Sequence, residues 1–322
     1  MRAILSGGMF AILLCRPLFA QGQGIDNLSA DRHINSHRYF RLSYDNDFFA
    51  ARDQYYTQGF DMEVVSPALG HSFLRRILVH PLLSDTRYGI GFQHNAYTPS
   101  SISSDDILYG DQPFAGVAML KAFAIAIDRQ WPQRVSTSVH AGVIGPAAKA
   151  AQMQTYIHEQ LDNLIPHGWQ HQLQNDLVLN YGILYERQLW AYGRYLMLSG
   201  NARAHAGTLN SSLGAGLTLM AGYFSSPFRS GSADTRFSVY GYAAPVGSFC
   251  AYDATLQGGM FRHTGAYTIV TENVSRLLFR SRMGLVVSFG GIYLEYFTAF
   301  STRRFSTGSD FRYGGIQLGV SL

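Results

Sequence analysis

Apolar and polar residues alternate with a period of two along most of this chain. Near its start, Phe40, Leu42 and Tyr44 alternate with polar residues, and the same pattern fills 316–322. A period of two is typical of a β-strand with one wetted face, because successive side chains of a strand point to opposite sides. The pattern therefore predicts a β-sheet protein whose last residues lie within a strand.

Alternating segments recur about twelve times, with turn residues between them. They lie at about 40–45, 60–64, 88–92, 117–127, 135–143, 179–186, 193–205, 210–222, 236–250, 273–289, 291–302 and 311–322. Several have the roughly 9–11 residues that cross a bilayer at a tilt. An even number of strands is typical of closed bacterial barrels, in which the last strand pairs with the first.

The segment 142–175 has a helical rather than an alternating pattern. Apolar residues that recur every three or four positions predict a helix over about 147–165, with an apolar stripe along one side. The stripe residues are Met153, Ile157, Leu161 and Leu164. Pro166 follows this run and is expected to end the helix.

Two polar residues of the predicted helix are candidates for chemistry. Gln154 and His158 are four residues apart, so their side chains lie one turn above each other and can converge on a single ligand. The alternative is that His158 is a solvated or core residue with no chemical role.

The composition narrows the type of β protein. The 322 residues are 47% hydrophobic and only 14% charged, with 20 Tyr and 21 Phe, whereas soluble domains average about 25% charged residues. No apolar run has the roughly 18 residues of a membrane helix. These features favour an all-β, closed antiparallel transmembrane β-barrel of about twelve strands with one helical insert. A soluble β-sandwich or barrel would explain neither the low charge nor the N-terminus.

The N-terminus has the features of a secretory signal. Arg2 precedes an apolar run over 3–15, and 1–20 is the predicted signal peptide. We expect 21–37 to be a periplasmic lead and 38–322 a single barrel domain. Removal of the signal leaves Cys250 as a lone cysteine, so the fold does not depend on an intrachain disulfide. The net charge of +4 comes without a basic block, so no nucleic-acid partner is expected.

Oxygen-bearing side chains gather around the first predicted hairpin. Asn46 and Asp47 end its first strand, Asp53 lies in the connection, and Tyr56 and Thr57 begin the second strand. Hard cations such as Ca²⁺ take carboxylate, amide and carbonyl oxygens as ligands, so this end of the hairpin is a candidate calcium site. Asn, Asp and Thr are also ordinary turn formers, which is the alternative.

Other familiar motifs are absent or weak. The sequence has no G-x-S-x-G, C-x-x-C, H-E-x-x-H or P-loop pattern. His167 and His171 flank Trp169 as a further candidate metal site, but their spacing matches no recognised ligand pattern. The pair Gly290 and Gly291 is interpreted as a kink in a strand.

Four linked motifs together resemble the outer-membrane lipid A 3'-O-deacylase family. They are YDNDFF with DQYYTQG, then GDQPFAG, then GVIGP with QMQTYIH, and finally IPHGWQHQLQN. The resemblance extends over the mature chain with order and spacing kept. It implies a twelve-stranded barrel of the bacterial outer membrane, an active site near the outer leaflet between the barrel wall and a helix, and calcium-dependent activity.

The resemblance also implies site residues. The essential Asn-Asp pair of the family matches Asn46 and Asp47, and its hydroxyl residue matches Thr57. Its helix glutamine and catalytic histidine match Gln154 and His158, which stand at the family's distance from a Gly-Pro turn.

The chain departs from the family at three places. A functional glutamate six residues after the histidine is replaced by Leu164, and the basic pair that helps hold lipid A has no clear match in 100–106. The family's Asp-Arg-Pro sequence has Gln112 in its middle position. These departures concern the details of the substrate more than the type of reaction.

The resulting hypothesis is a Ca²⁺-dependent ester hydrolase that removes the 3'-O-linked acyl group of lipid A. His158 would activate a water molecule, Asn46 and Asp47 would hold Ca²⁺, and Gln154 and Thr57 would orient the reactants. The expected partners are lipopolysaccharide and outer-membrane lipids, and the protein is expected to be a monomer. An outer-membrane phospholipase and a non-enzymatic porin or adhesin are the alternatives.

Overall fold

A computed structural model of the protein describes residues 24–47, 55–229, 237–262 and 267–322, in which twelve antiparallel strands close into one barrel. The strands are β1 (Tyr39–Asn46), β2 (Gln58–Val65), β3 (Ser84–Tyr97), β4 (Ala115–Asp128), β5 (Gln133–Ile144), β6 (Asp176–Tyr192), β7 (Leu196–Gly207), β8 (Asn210–Tyr223), β9 (Phe237–Asp253), β10 (Leu277–Phe289), β11 (Ile292–Ser301) and β12 (Phe311–Ser321). Each strand pairs with its neighbours in sequence, and β1 pairs with β12 to complete the ring. The predicted closed, all-β barrel is therefore confirmed.

Alternation along the strands separates an outer apolar face from an inner polar one. In β11, Leu294 and Tyr296 are each 51% exposed, whereas Glu295 between them is 4% exposed. Long apolar side chains outside and charged side chains inside are typical of a barrel that faces lipid.

The two longest connections, after β5 and β9, lie at the same end of the barrel. Only two residues, Gly290 and Gly291, join β10 to β11, and both have positive φ angles, of 58° and 89°. They form a tight hairpin turn, which requires positive φ at both positions, so the prediction of a strand kink here was wrong. The connections after β3, β5 and β9 are long and lie at the opposite end, which is the extracellular end in barrels of this type.

In the described part of the chain, three short α-helices lie between the strands: α1 (Leu74–Ile77), α2 (Ala150–Gln160) and α3 (Ala254–Gln257). Among the described residues, no helix has both the length and the hydropathy to cross a membrane.

The predicted helix over 147–165 corresponds to α2 but is shorter at both ends. Lys149 and Asp162, which flank α2, have left-handed φ angles of 62° and 53°, which a continuing helix does not allow. Leu161 and Leu164 of the predicted stripe therefore lie beyond the helix, where they are 64% and 57% exposed. The predicted helix therefore extends too far in both directions, and only Met153 and Ile157 of the stripe lie within α2.

The lumen is filled by the segment 24–34, which precedes the first strand. Its Arg32 pairs with Glu295 (Nε to Oε1, 3.0 Å), and its Asp31 pairs with Arg282 (Oδ2 to Nη2, 2.6 Å). We expected 21–37 to be a periplasmic lead. The segment 24–34 instead lies inside the barrel, where charged residues of the wall attract it. The predicted signal peptide lies outside the described residues.

A second group of buried charges links β1, β2 and β4 within the lumen. Lys121 Nζ lies 2.7 Å from Asp61 Oδ2 and 2.5 Å from Glu63 Oε1, and Arg41 Nη2 lies 2.7 Å from Glu63 Oε2. All four residues are at most 4% exposed. Removal of one partner from such a group leaves another charge buried and uncompensated, which is costly.

Helix α2 lies against the outer wall of the barrel. Gly116 faces outward from β4, because its neighbour Val117 is on the lumen-facing side, and a Cβ built on Gly116 would lie 2.6 Å from the Cβ of Ala150. His94 of β3 contacts the carbonyl of Ala148 at 3.0 Å, just before the helix. A glycine in the wall thus allows the start of α2 to approach the sheet.

We predict that Lys121→Met lowers the free energy of unfolding by about 3–5 kcal/mol, because Asp61 and Glu63 lose their shared cation. Urea titration of the refolded barrel in detergent, followed by the heat-modifiable gel shift, measures this change. Lys149→Met, at an exposed position, is the matched control and is expected to have little effect. Equal losses for the two variants would contradict the importance of the buried group.

We also predict that Gly116→Val displaces α2 while the barrel stays closed. The added side chain overlaps Ala150, and overpacking of about 1–3 kcal/mol makes trypsin cleavage after Lys149 roughly tenfold faster. Gly241→Val is the matched control, because the nearest atom to a Cβ built there is the Gly284 oxygen at 3.7 Å. Unchanged cleavage of Gly116→Val would show that this contact does not hold the helix.

Candidate active site

Four residues form a row across the outer wall at the extracellular end. Asn46 lies opposite Gln58, Gln58 lies opposite Ala96, and Ala96 lies opposite Gly116. Directly opposite residues of antiparallel strands share a face, so the whole row faces outward with Gly116. Three strand spacings separate the backbones of Asn46 and Gly116 by about 14 Å. Helix α2 covers the Gly116 end of this row.

Asn46 and Asp47 lie at the other end of the row. The Asn46 amide donates a hydrogen bond to the Tyr44 hydroxyl at 2.9 Å, and Asp47, directly after β1, is 2% exposed. Asp53, the third residue of the predicted calcium site, lies outside the described residues.

The residues at this end of the row supply some, but not all, of the ligands of a metal site. A carboxylate and an amide oxygen are ligand types that Ca²⁺ prefers. Within the ranges that the structure describes, however, no group of three or more His, Cys, Asp or Glu residues is arranged to hold a metal ion. A calcium ion at Asn46 and Asp47 would therefore need further oxygen ligands from the backbone, water or substrate.

The second candidate metal site, His167 and His171, is occupied by internal contacts. His167 Nδ1 lies 3.0 Å from the Asp105 carboxylate, and His171 Nε2 lies 3.0 Å from the Asp105 main-chain oxygen. Both imidazoles thus hold the loop that contains Asp105.

Thr57 is buried directly beside the row. It is 4% exposed, and its hydroxyl lies 2.6 Å from the Thr98 hydroxyl. Its neighbour Tyr56 donates a hydrogen bond to Asn95 Oδ1 at 3.3 Å. Burial raises the pKa of the Tyr56 phenol well above its usual range, and Asp45 adds to the rise. The phenol therefore stays protonated, and its hydrogen bond to Asn95 of β3 supports the segment just before β2 in which Thr57 lies.

Gln154 lies on the inner side of α2 and is 1% exposed. Its Oε1 accepts a hydrogen bond from Trp169 Nε1 at 2.7 Å. Because an indole N–H can only donate, this bond also identifies which side of the amide is the NH₂ group. Trp169 belongs to a buried cluster that includes Ala150 and Ala96, so its bond holds Gln154 near the row.

His158 lies one turn beyond Gln154 and is half-buried. Its Nδ1 lies 2.6 Å from the main-chain oxygen of Leu164. A carbonyl oxygen can only accept, so Nδ1 carries the hydrogen and the neutral ring presents an unprotonated Nε2. This is the tautomer that a general base requires at Nε2.

The structure adds two residues that the sequence analysis missed. Gln58 belongs to the row itself, and His94 lies two residues from Ala96 on the same outer face of β3. A signal for His94 was present, because it is the first polar residue on a face that carries Tyr88, Ile90 and Phe92. Nothing comparable identified Gln58 apart from its place beside Thr57.

Similar proteins support an outer-membrane assignment. The family model described as "Outer membrane protein LpxR" matches residues 8–322. No curated protein matches the sequence. The structure is similar to that of LpxR from Salmonella typhimurium, with a TM-score of 0.70 and 17% identity, over 88% of this chain and 100% of that chain.

Two other barrels are more distant. The β-domain of the Bordetella autotransporter BrkA matches with a TM-score of 0.45 and 9% identity, over 89% of this chain and 100% of that one. The translocator domain of NalP from Neisseria meningitidis matches with a TM-score of 0.43 and 10% identity, over 90% of each chain. The LpxR family model covers nearly the whole sequence. The barrel is also closed and has twelve strands, as the resemblance to the deacylase family implies. The chain therefore belongs to the family of the outer membrane protein LpxR and is a protein of the outer membrane.

Proposed function

We propose that this protein hydrolyses the ester that links the 3'-O-acyl group to lipid A. The observation that carries the proposal is the placement of His158, with its ring held by the Leu164 carbonyl, on a helix that lies outside the barrel wall. Lipid A occupies the outer leaflet, so an enzyme that acts on it needs its reactive groups on the lipid-facing side. Membership of the LpxR family supports the same reaction.

His158 acts as the general base in this proposal. Its unprotonated Nε2 takes a proton from water as the water oxygen bonds to the acyl carbon. The bond between the acyl carbon and the sugar oxygen then breaks, and the proton passes from His158 to that oxygen. The products are a free fatty acid and a lipid A with a free hydroxyl at the 3' position.

The Leu164 carbonyl takes the place of an acidic orienting group. A member of the deacylase family that the chain resembles has a functional glutamate at this position. Here the main-chain oxygen accepts the hydrogen bond from His158 Nδ1 at 2.6 Å and fixes the tautomer. The orientation of the base thus depends on the backbone, and the leucine side chain, 57% exposed, is free to contact lipid.

Gln154 and Thr57 have positioning roles in the proposal. The Gln154 NH₂ group is buried with its orientation fixed by Trp169, so it donates in a defined direction without reorganisation. The Thr57 hydroxyl is held by Thr98 at 2.6 Å. Groups that are held in place before the substrate binds lower the entropic part of the barrier.

Asn46 and Asp47 are the residues that would hold Ca²⁺. Their oxygen atoms match its ligand preference, and they lie on the row that α2 covers at its other end. When bound, Ca²⁺ supplies a positive charge that stabilises negative charge on the ester oxygen.

The alternative functions have less support. A porin needs an open lumen, but the segment 24–34 fills it through ion pairs such as Arg32 with Glu295. A phospholipase with a serine nucleophile needs a serine at its histidine, whereas the hydrogen bond of His158 goes to the Leu164 carbonyl.

We predict that His158→Ala lowers 3'-O-deacylation by about 10²–10⁴-fold, as expected for loss of a general base. Leu164→Ala keeps the carbonyl and is the matched control, with activity expected within about threefold of the wild type. Mass spectrometry of lipid A from cells that express each variant measures the loss of the acyl group. Unmodified lipid A beside a folded wild-type barrel would refute the function, and an active His158→Ala would refute only the role of the base.

We further predict that chelation of Ca²⁺ with EGTA abolishes deacylation and that added Ca²⁺ restores it. Asp47→Asn should raise the Ca²⁺ concentration needed for half-maximal activity by roughly tenfold or more, because a neutral amide binds the cation less strongly. Asp106→Asn, at an exposed position, is the control. Full activity in EGTA would refute the calcium requirement while leaving His158 as the base.

A further inference from the structure

Three buried polar atoms around Ala96 have no hydrogen-bond partner among the residues that the structure describes. They are Gln58 Nε2, His94 Nδ1 and Gln154 Nε2. Their residues are 2%, 4% and 1% exposed. Buried polar groups are nearly always hydrogen-bonded, so these three groups on neighbouring residues are candidates to bind a ligand.

The three residues share one neighbourhood. Gln58 lies directly opposite Ala96 on β2, and His94 precedes Ala96 by two residues on the same face of β3. Gln154 is bonded to Trp169, which belongs to the same buried cluster as Ala96. The start of α2 encloses this place, since Ala148 contacts His94.

Two of the three groups have a defined hydrogen-bonding character. His94 Nε2 lies 3.0 Å from the Ala148 carbonyl, which can only accept, so Nε2 carries the hydrogen and Nδ1 is an acceptor. The bond from Trp169 makes Gln154 Nε2 a donor. Gln58 Nε2 is the second donor.

Two donors and one acceptor match an alcohol. An alcohol oxygen has two lone pairs and one hydrogen, so it can accept from both amides and donate to His94 Nδ1. A water molecule in the same place would keep one O–H group unsatisfied. An ester oxygen or an anion has no hydrogen for His94, and a cation would face two amide donors.

We propose that Gln58, His94 and Gln154 form a binding site for an alcohol hydroxyl of the lipid. On the proposed function, on which this identification rests, the hydroxyl is the one that ester cleavage releases on the sugar. The ester oxygen of the substrate has no hydrogen for His94, so the third hydrogen bond forms only as the acyl–oxygen bond breaks and His158 delivers the proton. The site then favours departure of the sugar oxygen. A hydroxyl on an acyl chain is the second source of the same chemistry.

The test is a binding measurement that does not depend on turnover. It uses the His158→Ala barrel in detergent and isothermal titration calorimetry with three lipids: 3'-deacylated lipid A, its 3'-O-methyl ether, and a 3'-deacylated lipid A whose acyl chains have no hydroxyl. We expect the His158→Ala barrel to bind 3'-deacylated lipid A roughly tenfold more tightly than the 3'-O-methyl ether. A difference of this size corresponds to the loss of one buried hydrogen bond.

Two variants remove the site with little change in shape. His94→Gln keeps a donor for the Ala148 carbonyl but removes the acceptor, and Gln58→Met removes the amide. Each should reduce the preference for the free hydroxyl to about twofold or less. His80→Gln, the same substitution beside Tyr88 at the opposite end of β3, is the matched control. The heat-modifiable gel shift shows whether each variant is folded.

The outcomes separate the two proposals. A preference that persists in both folded variants, or no preference in the His158→Ala barrel for either kind of hydroxyl, overturns the hydroxyl site. If only the lipid without acyl hydroxyls binds more weakly, the group that the site binds is a hydroxyl of an acyl chain. A normal preference in a protein whose wild type does not deacylate lipid A would uphold the site and refute the enzymatic function.

Discussion

Closure of the hydrogen-bond ladder between β1 and β12 is the constraint on which the rest of the structure depends. A lipid bilayer offers no water to backbone N–H and C=O groups, so an open sheet edge would be very costly there. The first strand meets the last over eight residue pairs, from Tyr39 with Ser321 to Asn46 with Gly314. This register also sets the height of Asn46 on the wall, and through β2 and β3 it places Gln58 and Ala96 at the same level.

Closure creates a lumen, and a charged segment of the chain occupies much of it. The segment 24–34 enters the barrel and is held by walls that carry arginine, lysine, aspartate and glutamate. Buried ion pairs of this kind contribute less to net stability than to specificity, because desolvation offsets much of their attraction. They do specify one position for the segment. The interior is thereby occupied, and the candidate site residues Asn46, Gln154 and His158 lie outside the barrel wall.

The outer wall is adapted to a helix at one place. Gly116 and Ala96 present almost no side chain, so α2 and Trp169 approach the strands closely. Polar groups between α2 and the barrel wall are shielded from water. Electrostatic interactions between them are therefore stronger than they would be in water. Their directions are set by donors and acceptors of fixed type, the Trp169 indole for Gln154 and the Leu164 carbonyl for His158. Gln154 and His158, one helical turn apart on α2, thus each have a fixed orientation outside the barrel wall.

The sequence by itself determined the barrel, its strand number and the presence of a helical insert. Alternation is a local property with a period of two, and it appears wherever one strand face meets lipid and the other meets the lumen. The linked motifs also identified Asn46, Asp47, Thr57, Gln154 and His158 as candidates. Only the tertiary structure decided where 24–34 lies, where α2 ends, and that Gln58 and His94 join Gln154 around Ala96. Those features depend on contacts between residues far apart in the chain, and no local period records such contacts.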